Sequence, residues 1–152
     1  MDRDQADALN GAIRLISIKH RGRAHAKLAA LGLYPGQESV LQLLDHHGPQ
    51  TQRQLAAGAG CEPPSITAMV RKLETSGLVS RHPSEQDARA IQVSLTDASK
   101  ALIPALNKLW TELADETVAC LRTTTTDQLI HVLTDLARGL QSQRPASANT
   151  QD

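Results

Sequence analysis

Residues 87–96 read D-A-R-A-I-Q-V-S-L-T, and this stretch decides the fold. Asp87 and Arg89 set opposite charges at a tip, and Ile91, Val93 and Leu95 alternate with polar residues behind it. An apolar period of two is the pattern of a half-buried strand. Thr96, at its end, supplies a hydroxyl that can cap a following helix. Upstream, Leu78, Val79, Ser80, Arg81 and His82 form a shorter extended run. The two runs predict a small β-hairpin with a charged tip. A helix-turn-helix pattern ends just before it, so the hairpin occupies the place of a wing. The combination points to DNA.

That pattern occupies twenty residues, 52–71. Ala56 is fifth and Gly60 ninth, while Leu55, Ala59, Cys61, Ile66 and Met69 fill the fourth, eighth, tenth, fifteenth and eighteenth places. Two short helices that cross closely need these residue types. A small fifth residue admits the second helix, and a ninth glycine accepts a left-handed turn. The remaining apolar positions make the buried contact between them.

A helical wheel of residues 63–76 sends Ile66, Met69, Val70 and Leu73 toward the core. Pro64, Ala68, Arg71 and Thr75 take the opposite side, flanked by Thr67 and Lys72. That outer face suits a major groove. Arg71 can donate two hydrogen bonds to a guanine edge, and Ala68 with the Thr67 methyl can meet a thymine methyl. Ser65 and Lys72 are better placed for phosphates, which position without specifying. Arg81 joins this basic set from the hairpin. At the tip, Asp87 fixes the loop while Arg89 enters the adjacent minor groove, whose negative potential favours guanidinium.

Around this reading region the sequence predicts six helices. The first covers 5–31, with Leu9, Ile13, Ile16, Leu28 and Leu31 on its apolar side. The second begins at Pro35, suited to a first helical turn, and ends at Gly48-Pro49. The third starts at Thr51 as N-cap and precedes the turn glycines Gly58 and Gly60. After the hairpin, residues 97–121 carry Leu102, Leu106, Leu109 and Leu113 at intervals of 4, 3 and 4. Residues 127–140 repeat the rhythm with Leu129, Leu133, Leu136 and Leu140. Such seams pack on other helices, either inside the chain or across a dimer interface. Residues 144–152 are small and polar and read as a disordered tail. The whole is expected to be a single domain, 1–152.

Composition bounds what this chain does. Its 152 residues include no Phe, and Tyr34 and Trp110 are the only aromatics, so the core must be aliphatic. Neither a spanning apolar run nor a signal-peptide pattern is present, and a cytoplasmic protein is expected. Sixteen basic and sixteen acidic residues cancel. DNA binders usually carry a basic excess, but the field at the docking face matters more than the sum. Arg14, Lys19, Arg21, Arg23 and Lys27 form one acid-free cationic run, and Arg71, Lys72, Arg81, His82 and Arg89 form a second set. Non-specific binding should be modest and salt-dependent.

These residues resemble the MarR (multiple-antibiotic-resistance regulator) family of winged-helix transcription factors. Asp87, Arg89, Leu95 and Thr96 match a D-x-R-x-x-x-x-x-L-T run. Leu73, Glu74, Gly77, Leu78, Val79 and Arg81 match L-E-x-x-G-L-V-x-R. Leu33, Pro35, Gln37, Val40, Leu41 and Leu44 match L-x-P-x-Q-x-x-V-L-x-x-L ahead of and along the second helix. The resemblance implies a mainly α fold with a β-hairpin wing. Residues 35–96 would form a winged helix-turn-helix, and 5–31 with 97–140 a helical dimerisation region. It implies a homodimeric repressor on a pseudo-palindromic operator, with helix 63–76 in the major groove and wing 82–91 in the minor groove. Under it, the leucine seams become dimer contacts. It further implies a small organic effector bound between the dimer and reading regions; a pocket among the first, second and fifth helices would place Arg14, His20, Tyr34 or Trp110 at its walls.

Other readings have less behind them. Cys61 falls at a packing position of the turn, where a small hydrophobe is wanted, although the nearby helix N-terminus can lower a thiol pKa and make a redox switch. No two histidines on one helix have three- or four-residue spacing, and no metal or cofactor is expected. The zero net charge keeps open a winged helix that binds protein instead of DNA. No Gly-rich phosphate loop, nucleophile elbow or paired carboxylate site appears, so no enzyme is expected.

Overall fold

The computed structural model describes residues 1–84 and 90–142, in two compact units, Met1–Ala114 and Asp115–Asp152. Asp87, Arg89 and the tail 144–152 lie outside the described residues. The first unit contains α1 (Arg3–Ala30), α2 (Gln37–His47), β1 (Gln50–Thr51), α3 (Gln52–Ala59), α4 (Pro63–Thr75), β2 (Val79–Pro83), β3 (Ile91–Leu95) and most of α5 (Asp97–Val118). The second contains the end of α5 and α6 (Thr126–Ser142). No helix among the described residues is long and apolar enough to cross a membrane.

Local chemistry sets most boundaries. Asp2 and Gln5 form a capping box at the start of α1, and Thr51 and Gln54 form another at α3. Each leaves fewer orphan N–H groups on the first turn. Helix α3 ends with Gly60 at φ 61° and ψ 30°, where Gly60 N–H reaches Ala57 O at 3.3 Å and Cys61 N–H reaches Ala56 O at 3.1 Å. This is the paired closure that a left-handed residue permits, as the ninth-place glycine predicted. Helix α4 closes alike, with Leu78 N–H on Leu73 O and Gly77 N–H on Glu74 O, both at 2.9 Å.

The start of α2 differs from the sequence expectation. Pro35 does not open the helix. It is the second residue of a turn in which Gln37 N–H donates to Tyr34 O at 3.0 Å, with Gly36 third at φ 93° and ψ −27°. Pro then Gly with a positive φ makes this a type II turn. The helix begins only at Gln37.

Strands β2 and β3 pair antiparallel, with Val79 opposite Leu95, Arg81 opposite Val93 and Pro83 opposite Ile91. The hairpin gains a third strand, β1, with Gln50 opposite Val93, giving the order β1-β3-β2. Central β3 buries Val93 completely. Thr96 then bridges two elements. Its hydroxyl donates to Gly77 O at 2.8 Å and accepts from Ser99 N–H at 3.3 Å, so the end of α4 and the start of α5 share one side chain.

The core is aliphatic, as the composition demands. Leu28, Leu33, Val40, Leu41, Leu55, Ile66, Val70, Leu73, Val93 and Leu106 are at most 2% exposed. The two leucine seams meet different fates. On α5, Leu106, Leu109 and Leu113 are buried within the chain, so that seam is not an open dimer face. On α6, Leu133, Leu136 and Leu140 stand exposed, with Ile130 and Val132 beside them in sequence. Helix α1 divides likewise: Ala24 and Leu28 are buried, while Leu9, Ile13 and Ile16 are exposed.

Candidate nucleic-acid interface

Helix α4 sorts its residues as its periodicity requires. Ile66, Val70 and Leu73 are wholly buried and Met69 partly so, while Pro64, Ser65, Thr67, Ala68, Arg71, Lys72 and Thr75 are exposed. Both helices of the turn contribute to the interior through Leu55, Ala56 and Ile66. The second helix is therefore held by its apolar stripe, and its polar row is left available.

Proline shapes the start of that row. Pro63 and Pro64 occupy the first two positions of α4 and have no N–H to donate. The next N–H, of Ser65, already donates to Glu62 O at 3.0 Å, and Ile66 N–H donates to the same oxygen at 3.3 Å. Helix N-termini often hold phosphates through free N–H groups. This one has spent or removed them, and Glu62 at the N-cap adds a negative charge. Anion contacts here must come from side chains.

Several of those side chains are positioned. The Thr67 hydroxyl lies 2.9 Å from Gln52 Oε1 and 3.0 Å from Pro63 O, two acceptors that occupy its single hydrogen. Its methyl remains the group to offer outward, and the Gln52 contact ties the first residue of α3 to α4. The Lys72 ammonium stands over the Tyr34 ring, 5.6 Å from its centroid. Arg71 makes no side-chain hydrogen bond or ion pair among the described residues. On β2, Arg81 Nε lies 3.2 Å from Glu74 Oε2, leaving the rest of its guanidinium donors. Next along β2, His82 Nε2 lies 3.0 Å from Ser94 Oγ on β3, a cross-strand link at the base of the wing.

Along the outer row runs a groove of about 1000 Å³. Tyr34 and Gly32 line one side, and Pro64, Ala68, Arg71 and Lys72 the other. No carboxylate among the described residues lines it. In a chain of zero net charge this is a locally cationic recess, with two cations and several hydroxyls.

The structure brings Pro64, Thr67, Ala68, Arg71 and Lys72 together along one groove, with Ser65 on the same exposed turn and Arg81 joined through Glu74. It does not gather Arg14, His20, Tyr34 and Trp110. Arg14 and His20 stand exposed on α1, and Trp110 is half-buried against the core from α5. Tyr34 instead lines the groove of α4. Sequence reading missed that placement and the Gln52–Thr67 tie. The Pro35-Gly36 dipeptide was the available signal, since a turn there aims the preceding residue sideways instead of along a helix. Cys61 is half-buried, with its Sγ–H directed to Ala59 O at 3.4 Å.

The MarR family model matches residues 33–91, from the turn before α2 through α3, α4 and β2 to the first residue of β3. The uncharacterized HTH-type transcriptional regulator YwoH of Bacillus subtilis (strain 168) is 32% identical over 114 residues, 75% of this chain and 80% of that protein. Among solved structures, a probable transcriptional regulator from Pseudomonas aeruginosa is 28% identical with a TM-score of 0.70, covering 86% of this chain and 98% of the other. A mutant MarR from E. coli complexed with operator DNA has a TM-score of 0.76 at 22% identity, covering 92% and 99%. The S. aureus MepR–DNA complex has a TM-score of 0.74 at 23% identity, covering 88% and 94%. At these lower identities the likeness is one of fold.

Proposed function

Because the chain belongs to the MarR family of transcriptional regulators, we propose that it is a homodimeric repressor that reads a pseudo-palindromic DNA operator. The observation that carries this reading is the outer face of α4. It is an exposed row containing Arg71 and Lys72, with no carboxylate among the described residues lining its groove, backed by a stripe buried so completely that the helix can present only this side.

In this reading α4 enters the major groove. Arg71 bonds a guanine edge, Ala68 and the Thr67 methyl contact apolar base atoms, and Ser65, Lys72 and Arg81 hold phosphates. Pro64 keeps the helix start close to the duplex without asking for a hydrogen bond. Arg89 reaches the adjacent minor groove and Asp87 holds the tip in shape. A two-fold dimer sets its two reading helices about 34 Å apart, one turn of DNA. Its contacts come from the apolar residues left exposed on α1 and, separately, on α6. In this proposal residues 5–31 and 97–140 serve dimerisation, through α1 and α6 while the α5 seam stays buried, and 35–96 serve reading. A small organic effector that releases the operator completes the proposal.

Footprinting on the DNA upstream of its own gene, at two salt concentrations, tests it. Protection of a palindrome is expected, and it should be lost in Arg71→Ala and Arg89→Ala. Absence of protection on any palindromic site would overturn the reading in favour of a protein partner.

A further inference from the structure

We infer that Tyr34 contacts DNA: with Lys72 it clamps one backbone phosphate in each half-site, at the edge of the major groove entered by α4. The inference rests on the operator reading above and adds a residue from outside the helix-turn-helix and wing.

Tyr34, one of only two aromatic residues in the chain, is 63% exposed. Its backbone is nonetheless fixed. Gln37, 4% exposed, accepts Tyr34 N–H on its Oε1 at 2.8 Å and donates its own N–H to Tyr34 O at 3.0 Å. Leu33 beside it is buried at 2%. Gly36 completes the turn at φ 93°, a conformation that favours glycine, and a Cβ there would also press on the end of the Met69 side chain. A rigid turn thus presents an exposed ring at one fixed place.

That place is the wall of the groove facing the polar row of α4. The ring holds the Lys72 ammonium 5.6 Å from its centroid, which limits where that charge can go. The Tyr34 hydroxyl bonds nothing among the described residues. A hydroxyl donor and an ammonium on one aromatic platform, in a groove that no carboxylate among the described residues lines, suit an anionic oxygen. The need for such donors comes from α4 itself, because Pro63 and Pro64 deny its N-terminus the usual N–H cradle. A phosphodiester fits better than a free anion because the cations continue along the row that meets the duplex, from Lys72 to Arg71.

Tyr34→Phe keeps the ring and removes only the hydroxyl, so the fold and the Lys72 contact survive. It should weaken binding to the operator and to an unrelated duplex by the same factor, about 3- to 10-fold for one hydrogen bond, with the specificity ratio and salt slope unchanged. Lys72→Ala should lower the salt slope by about one. Ethylation of one phosphate per half-site should interfere with the unaltered protein and interfere less in Tyr34→Phe, where Lys72 alone still holds it. Equal binding by Tyr34→Phe and the unaltered protein overturns the clamp alone. Competition by inorganic phosphate at matched ionic strength would assign the site to a free anion and also overturn it. Failure of the unaltered protein to bind any palindrome overturns the operator reading, and the clamp with it.

Discussion

Arg81 Nε lies 3.2 Å from Glu74 Oε2, an ion pair that fastens the last turn of α4 to the first strand of the wing. Both side chains are partly exposed, at 31% and 41%, so solvent screens the pair. Its removal in Glu74→Ala should cost under about 1 kcal/mol of stability, and the loss should shrink in high salt. Denaturant melts at two ionic strengths will show this. Arg81→Ala should cost as little stability yet weaken binding evenly across DNA sequences. A double-mutant cycle separates the two effects, because only Arg81 is expected to touch a phosphate.

Arg71 is the residue proposed to carry the sequence preference. Arg71→Ala should lose about 1–3 kcal/mol at the operator and relax selection at one position per half-site. Binding to randomised half-sites, followed by sequencing, reads both quantities. A uniform loss across all sites would reassign Arg71 to the phosphates.

The wing tip should behave differently. Arg89→Ala is expected to weaken operators with A-tract flanks most, since a narrow minor groove concentrates negative potential. Asp87→Ala should resemble a weaker version of the same change. Flank-swapped operators compared in gel shifts provide the measurement.

Gly60 can be tested without confounding contacts. A Cβ there meets nothing within 4 Å, but its φ is 61°. Gly60→Ala should therefore cost about 1–2 kcal/mol through backbone conformation alone. Gly58→Ala is the contrast, for its Cβ would press Leu43 Cδ2 at 2.9 Å. Urea midpoints rank the two, and a neutral Gly60→Ala would remove the left-handed turn from the account.

Ile16 and Leu136 are 59% and 48% exposed, an unfavourable placement unless something covers them. Ile16→Asp and Leu136→Asp should each yield a folded monomer by sedimentation, with operator affinity reduced at least tenfold. A dimer that survives both changes would locate the interface elsewhere.

Much of the reading region was legible because its constraints are local. Ala56 and Gly60 announce the crossing of two helices, Ile91, Val93 and Leu95 announce a strand, and Thr96 announces a cap. All act within a few residues of themselves. What escaped depends on partners distant in sequence. β1 has two residues and no period of its own, and it exists because Val93 lies opposite Gln50. Identical rhythms on α5 and α6 do not reveal that one is buried and the other exposed. Pro35 fits a helix start and a type II turn equally well until Gly36 adopts a positive φ. Tyr34 followed that turn to the groove beside α4, a placement that no local pattern announces.

Trp110 has a use that its modest role in packing conceals. It is the only tryptophan, half-buried beside an aliphatic core, and its indole N–H is closed to water with no acceptor among the described residues. Emission excited above the tyrosine band therefore comes from one point on α5, in surroundings that should keep it blue. An event that admits water or a polar ligand to that indole will redden the spectrum, whereas docking confined to α4 will leave the colour unchanged. The protein carries a built-in optical gauge that separates changes at α5 from changes at the reading face, without a label.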